Sequence, residues 1–253
     1  MTDSPLLLDL LGARAGVVCA VGAGGKKSLL RHLATTHPGR VAITATVFTT
    51  YFQEHLGFAV AVDDDERLPD AVAALDPRAS VAYACPGSKP GRRAGVSEAT
   101  LERIHREGRF AATYVKADGA RMRLVKAPAA DEPAIPESAT IVLPVLSAHA
   151  IGEPLGPNVA HRVDRVAEVA GVQEGALITP VHLGRLLGSP QGLLKSTEGR
   201  RVAPVINMVD DAVLEAHARE AAAEALGLTD RFDEVVLVSL ARPTDPVVAV
   251  VRR

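Results

Sequence analysis

The chain has 253 residues, a formal net charge of −2 and 47% hydrophobic residues, with only 3% aromatics and no tryptophan. Near-neutral charge removes the electrostatic case for a nucleic-acid partner. Two cysteines, Cys19 and Cys85, are too few for a disulfide framework, and no apolar run reaches membrane-spanning length. The N-terminus places Asp3 and Asp9 around Leu6-Leu7-Leu8 without a basic lead, so it does not read as a signal peptide. The expectation is a cytoplasmic protein with no membrane partner, its core built from Val, Leu, Ile and Ala, as buried parallel strands are.

In chain order, residues 5–11 read as a short amphipathic helix whose leucines need burial. Residues 15–21 form a first strand. It enters the glycine turn Val21-Gly22-Ala23-Gly24-Gly25-Lys26-Lys27-Ser28, and residues 28–36 continue as a helix stopped by His37-Pro38-Gly39. A strand that enters a glycine turn opening a helix is an anion site. Glycines let the backbone approach a phosphate, the N–H groups point inward and the helix start carries partial positive charge. Lys26 adds a cation, so Gly22, Ala23, Gly24, Gly25, Lys26, Lys27 and Ser28 are the candidate phosphate loop for ATP or GTP. The letters depart from the full P-loop pattern at two places. Ala20 stands where a glycine is expected, and Lys27 occupies the position of the hydroxyl that holds Mg2+, the nearest hydroxyl being Ser28. A dinucleotide-binding reading fits worse, because its third glycine position is Lys27 and no acid ends the next strand.

That strand is 41–45, followed by Thr46, Thr49 and Thr50. A possible extended stretch covers 59–62, a helix 66–75 and a strand 81–84 ending at Cys85. Residues 86–95 read as a loop carrying Lys89, Arg92 and Arg93, either an anion clamp or a solvated turn. Ser97 caps a helix to about 108. A strand over 111–117 ends in Asp118-Gly119, and a proline-rich loop covers 126–137. Residues 140–146 are a strand and 147–162 irregular, followed by a helix over 162–170, a short strand over 176–179 and a helix over 180–188. A strand over 202–206, a helix over 212–226 and a strand over 234–240 lead through a turn at 242–246 to a final strand over 247–251. Strand–helix alternation predicts a P-loop NTPase-like α/β fold, with a mainly parallel sheet, helices on both faces and an antiparallel C-terminal edge hairpin. No linker or repeat divides the chain, so 1–253 reads as one nucleotide-binding domain.

Ligands of such sheets lie at the carboxyl ends of strands. Asp118 is placed there either to hold Mg2+ or to serve an Asp-Gly turn. Asn207-Met208-Val209-Asp210 follows another strand. Its carboxylate either accepts from ring N–H groups of a nucleobase, with Asn207 bracing the loop, though the guanine-specific version has Lys where Met208 stands, or it caps the helix near Ala212. Thr44, Thr46, Thr49 and Thr50 supply hydroxyls for phosphate, metal or a second substrate, or simply serve strand and cap. His161-Arg162 are polar site residues or structural ones. Cys85 is a thiol for sulfur or selenium, or a small buried hydrophobe.

The segments 21–26, Ala117-Asp118-Gly119-Ala120-Arg121, Leu124-Val125-Lys126-Ala127-Pro128 and Glu132-Pro133-Ala134-Ile135-Pro136 stand in one order along the chain. His161-Arg162, Thr179-Pro180 and Asn207-Met208-Val209-Asp210 follow. Together these segments resemble the YqeC-like family, associated with accessory proteins of selenium-dependent molybdenum hydroxylases. The resemblance implies a bacterial cytoplasmic P-loop protein acting in maturation of such a hydroxylase, with the hydroxylase or a selenium-delivery protein as partner. It carries Lys26 and Asp118 over as catalytic groups, with Ser28 and Asp118 toward metal. Thr46, Gly119, Arg121, Lys126, His161 and Arg162 stand toward a second substrate. The family has Thr at the place of Lys27 and Glu at the place of Lys116, so the departures favour nucleotide binding with little or no hydrolysis. A non-hydrolysing scaffold or chaperone and a small-molecule kinase are the alternatives.

Overall fold

The computed structural model describes residues 6–50, 56–88, 90–242 and 245–253. In chain order the elements begin with α1 (Leu7–Leu10), β1 (Gly16–Gly22), α2 (Lys26–Thr36), β2 (Val41–Ala45), β3 (Thr49–Thr50) and β4 (Ala59–Val62). Then come α3 (Leu68–Ala73), β5 (Val81–Pro86), β6 (Arg92–Ala94), α4 (Glu98–Gly108), β7 (Ala112–Lys116), β8 (Val125–Lys126) and β9 (Ala139–Ser147). After a 3-10 turn at Ala148–Ala150 follow β10 (Ala160–His161), α5 (Val163–Ala170), α6 (Pro180–Gly188), β11 (Arg201–Val202), β12 (Val205–Asn207), α7 (Ala212–Leu228), β13 (Glu234–Val238) and β14 (Val247–Arg252). Among the described residues no helix is long and apolar enough to cross a membrane.

The chain divides into two compact units, one of residues 1–20, 27–119 and 134–141 and the other of 21–26, 120–133 and 142–253. In the first, β4, β5, β2, β7 and β1 are parallel neighbours in that order. β2 and β7 are buried at every position, as strands covered on both faces must be, which is why their sequences, VAITA and ATYVK, do not alternate apolar with exposed polar residues. Tyr83, Tyr114, Leu29, Leu33, Ile43 and Leu101 are fully buried in this unit. In the second, the part of β9 from 142 onward, β12 and β13 are parallel, and β14 closes the edge antiparallel to β13. The antiparallel C-terminal pair is thus as expected, although residues 243 and 244 of its turn lie outside the described residues. The core of this unit is aliphatic, with Leu146, Val166, Leu186, Ile206, Val235 and Leu237 buried, and the alanine face of α7, Ala218, Ala221, Ala222 and Ala225, packs into it.

Three segments differ from the sequence reading. Residues 176–179 are not a strand: only Leu177 pairs, in a single bridge with Pro154, and its side chain is exposed. The expected loop over 86–95 contains β6, whose Arg92 and Arg93 pair antiparallel with Thr50 and Thr49. Lys89 lies outside the described residues. Lys126 and His161, expected in a loop and an irregular stretch, pair as the parallel ladder β8–β10. Neither pairing has a local pattern, because each partner is distant in sequence.

Candidate functional site

The glycine turn belongs to the second unit. Gly22, Gly24 and Gly25 adopt φ of 94°, 68° and 110°, a region L side chains avoid. A Cβ at Gly22 would lie 2.2 Å from the carbonyl oxygen of Val145, at Gly24 2.5 Å from the Ser147 amide nitrogen and at Gly25 2.2 Å from Nδ2 of Asn207. The turn is therefore pressed against the ends of β9 and β12. Its first N–H groups are directed into the protein: Ala23 donates to Val145 O (2.8 Å) and Gly24 to Arg123 O (3.0 Å). An anion at this turn would accordingly be met from Gly25 onward, where α2 begins. Lys26 is buried, and its Nζ donates to the carbonyl of Gly22, folding the ammonium back over the turn.

Asn207 ends β12 and is 2% exposed. Its Nδ2 donates to Gly24 O at 2.9 Å, tying the end of β12 to the glycine turn. Its Oδ1 is buried without a hydrogen-bond partner among the described residues. Met208 turns the chain in the left-handed region (φ 61°), and its sulfur accepts from Ser147 Oγ at 3.0 Å. Asp210 does not cap the next helix. Asp211 does, accepting from Leu214 N at 2.8 Å. Asp210 instead takes Ser239 Oγ on Oδ1 (2.5 Å) and His149 Nε2 on Oδ2 (2.8 Å). The sequence reading missed both partners. The signal for them was position, since His149 lies just past the carboxyl end of β9 and Ser239 just past that of β13.

A second cluster in the same unit gathers Lys126, His161 and Arg162 through the β8–β10 ladder. Lys126 is fully buried and its Nζ donates to Glu132 Oε2 at 2.7 Å. Arg162 Nη2 donates to Glu132 Oε1 at 3.0 Å, and Nη1 to His161 Nε2 at 2.6 Å. A guanidinium only donates, so Nε2 is an acceptor and the imidazole is neutral in this arrangement. Partial burial, and then the charges of Arg162, Lys126 and Arg121, push His161 down to about 4, with Glu132 opposing. Two cations thus hold one carboxylate, with Arg121 acting on His161 as a third charge, and Glu132 is the member the residue-by-residue reading did not assign. Because the folded value lies below the ordinary 6.5, the neutral imidazole's contribution to stability is complete above about 6.5. It is lost as pH falls from there through about 4. An NMR titration of His161 should show its midpoint near 4, rising in Arg162→Gln. A midpoint near the ordinary value would contradict the cluster.

The remaining site candidates lie in the first unit. Asp118 is 1% and Lys116 8% exposed, and Lys116 Nζ donates to Phe48 O at 3.1 Å. The threonines divide. Thr44 Oγ1 donates to Tyr83 O inside the sheet (2.8 Å) and Thr46 Oγ1 to Ala134 O (2.7 Å), while Thr50 Oγ1 accepts from Lys27 Nζ. Burial, and then Arg92, lower the pKa of Lys27. Gly119 has open space where a Cβ would stand. Cys85 is buried, and burial followed by Asp65 pushes its thiol up to about 12, so it remains a protonated donor to Asp65 rather than a nucleophile. For Mg2+ the donors do not complete a site. The position directly after Lys26 carries an ammonium bonded to Thr50, Ser28 is exposed on the first turn of α2, and among the described residues no three His, Cys, Asp or Glu are grouped to hold a metal ion.

Comparison with known proteins places these residues in context. The family model described as YqeC protein matches residues 18–164. That span includes the turn, Asp118, Lys126, Glu132 and His161-Arg162. The chain is also 31% identical over 198 residues, 76% of its own length and 76% of the relative's, to a protein of Escherichia coli (strain K12) named "Uncharacterized protein YqeC".

Proposed function

The chain belongs to the YqeC family, and we propose that it is a P-loop-like nucleotide-binding accessory protein that takes ATP or GTP at Gly22–Lys26. The observation that carries this reading is the turn itself. Three glycines in left-handed conformations run into the start of α2, and a buried lysine folds back over them. Backbone N–H groups at a helix start and an adjacent ammonium bind the oxyanions of a polyphosphate without any further group. The buried Oδ1 of Asn207 supports a ligand beside the turn, because a buried acceptor with no donor is costly, about 1–3 kcal/mol, until a donor reaches it.

Arg121, Lys126, His161 and Arg162 are assigned to an anionic second substrate. Support comes from the charge balance of the cluster, with three cations against Glu132. A cytoplasmic role in maturing a molybdenum hydroxylase, with that enzyme or a selenium-delivery protein as partner, rests on the family resemblance. The incomplete donor set for Mg2+, with the Lys27 ammonium at the place of the expected hydroxyl, favours a scaffold that binds nucleotide without turning it over. Titration calorimetry with ATP and with GTP, each with magnesium and with EDTA, tests this. Binding should persist in EDTA. Binding that requires magnesium would return Ser28 and Asp118 to the role of metal ligands. A phosphorylated small-molecule product would favour the kinase alternative, and no binding to either nucleotide would sink the reading.

A further inference from the structure

We propose that Asp210 is the carboxylate that reads a guanine base, with Ser239 orienting it and His149 the group that guanine displaces. This rests on the nucleotide reading above and deepens it by naming the base. The end of β12 is fastened to the phosphate turn by Asn207, and Asp210 follows three residues later through the left-handed turn at Met208. Asp211 takes over the capping of α7, so the Asp210 carboxylate has no duty to the helix. One of its oxygens is held by Ser239, which is 2% exposed and therefore a fixed donor. Its other oxygen faces His149, and both of these side chains are substantially exposed, at 43% for His149 and 37% for Asp210. The imidazole can swing into solvent without disturbing the core.

An ionised carboxylate only accepts hydrogen bonds. Guanine presents two adjacent donors, N1–H and the 2-amino group, which a carboxylate pairs with both oxygens. Adenine presents a donor beside the bare N1 lone pair, and xanthine a carbonyl in place of the 2-amino group, and the carboxylate repels each. Met208 adds an apolar, polarisable stem beside the turn, its Cε 3.7 Å from the position of a Gly25 Cβ, a suitable surface for a flat ring.

The test is equilibrium binding of GTP, ATP and XTP, in EDTA, to the full chain and its variants. The wild type should bind GTP at least about tenfold more tightly than ATP or XTP, because a mispaired base leaves polar groups unsatisfied. Asp210→Asn, which offers one donor and one acceptor, should weaken GTP by about tenfold and strengthen XTP. Ser239→Ala should weaken GTP with no gain of XTP, and His149→Ala should tighten GTP. Equal binding of ATP and GTP by the wild type, or an Asp210→Asn variant that leaves the order of GTP and XTP unchanged, would overturn the inference while leaving the phosphate turn intact. Failure of the wild type to bind any of the three would remove the nucleotide reading and this inference with it.

Discussion

Replacing Gly22 by alanine is expected to destabilise the protein by roughly 2–6 kcal/mol, the sum of about 1–3 for a strained backbone and about 1–3 for overpacking. Gly22 sits at φ 94°, and the added Cβ would meet Val145 O at 2.2 Å and Leu193 Cδ1 at 2.8 Å. The leucine can shift. The carbonyl cannot, because it is part of β9 and accepts the Ala23 N–H that shapes the turn. The turn must therefore open, and nucleotide binding should fall with it. Calorimetric melting should show a loss on the order of 10 °C, taking ~2–4 °C per kcal/mol for a chain of this size. Gly227→Ala is the control: it lies in α7 with nothing within 4 Å, and helix propensity makes the change neutral or stabilising by up to ~1 kcal/mol. A Gly22→Ala protein that melts with the wild type would mean that the turn does not have this shape.

Removing Glu132 should be comparably severe. Its carboxylate, 18% exposed, holds the fully buried ammonium of Lys126 on one oxygen and Arg162 on the other. Truncation to alanine takes this anion away from a buried cation, a change that costs about 3–5 kcal/mol where it has been measured. Urea unfolding would read the loss directly. Adding Lys126→Met to Glu132→Ala removes the cation as well and should recover part of the stability, with a coupling of about 1–3 kcal/mol. Strictly additive losses would show that the two groups do not depend on each other. The outcome bears on function, because a network that collapses without Glu132 is what presents His161 and Arg162 in a fixed arrangement.

Much of the architecture was legible because it is written in local pattern. Short runs rich in apolar and β-branched residues, such as 41–45 and 112–116, read as buried strands by their length and composition. Ser97 before an amphipathic run and Pro180 at a helix start are capping chemistry that acts within four residues. The glycines of the turn were legible for the same reason, since consecutive positions that demand positive φ admit little else. Where the local signal was ambiguous, the reading was ambiguous too. Asp210 and Asp211 are adjacent, and nothing in their order says which one caps α7.

By itself, then, the sequence determined a mixed α/β chain, a glycine turn opening a helix, an antiparallel C-terminal pair and membership of a family through motifs spread along its length. Tertiary structure alone decided what those residues touch. It turned the first two N–H groups of the turn toward Val145 and Arg123, drew Lys27 to Thr50, paired Lys126 with a glutamate six residues on and gave Asp210 to His149 and Ser239. It also made β6 and the β8–β10 ladder from segments with no periodicity. The division has one physical cause. Backbone conformation and burial are fixed by the chemistry of a few neighbouring residues, whereas a hydrogen bond or ion pair between side chains far apart in the chain exists only once the strands that carry them have been brought to a common edge.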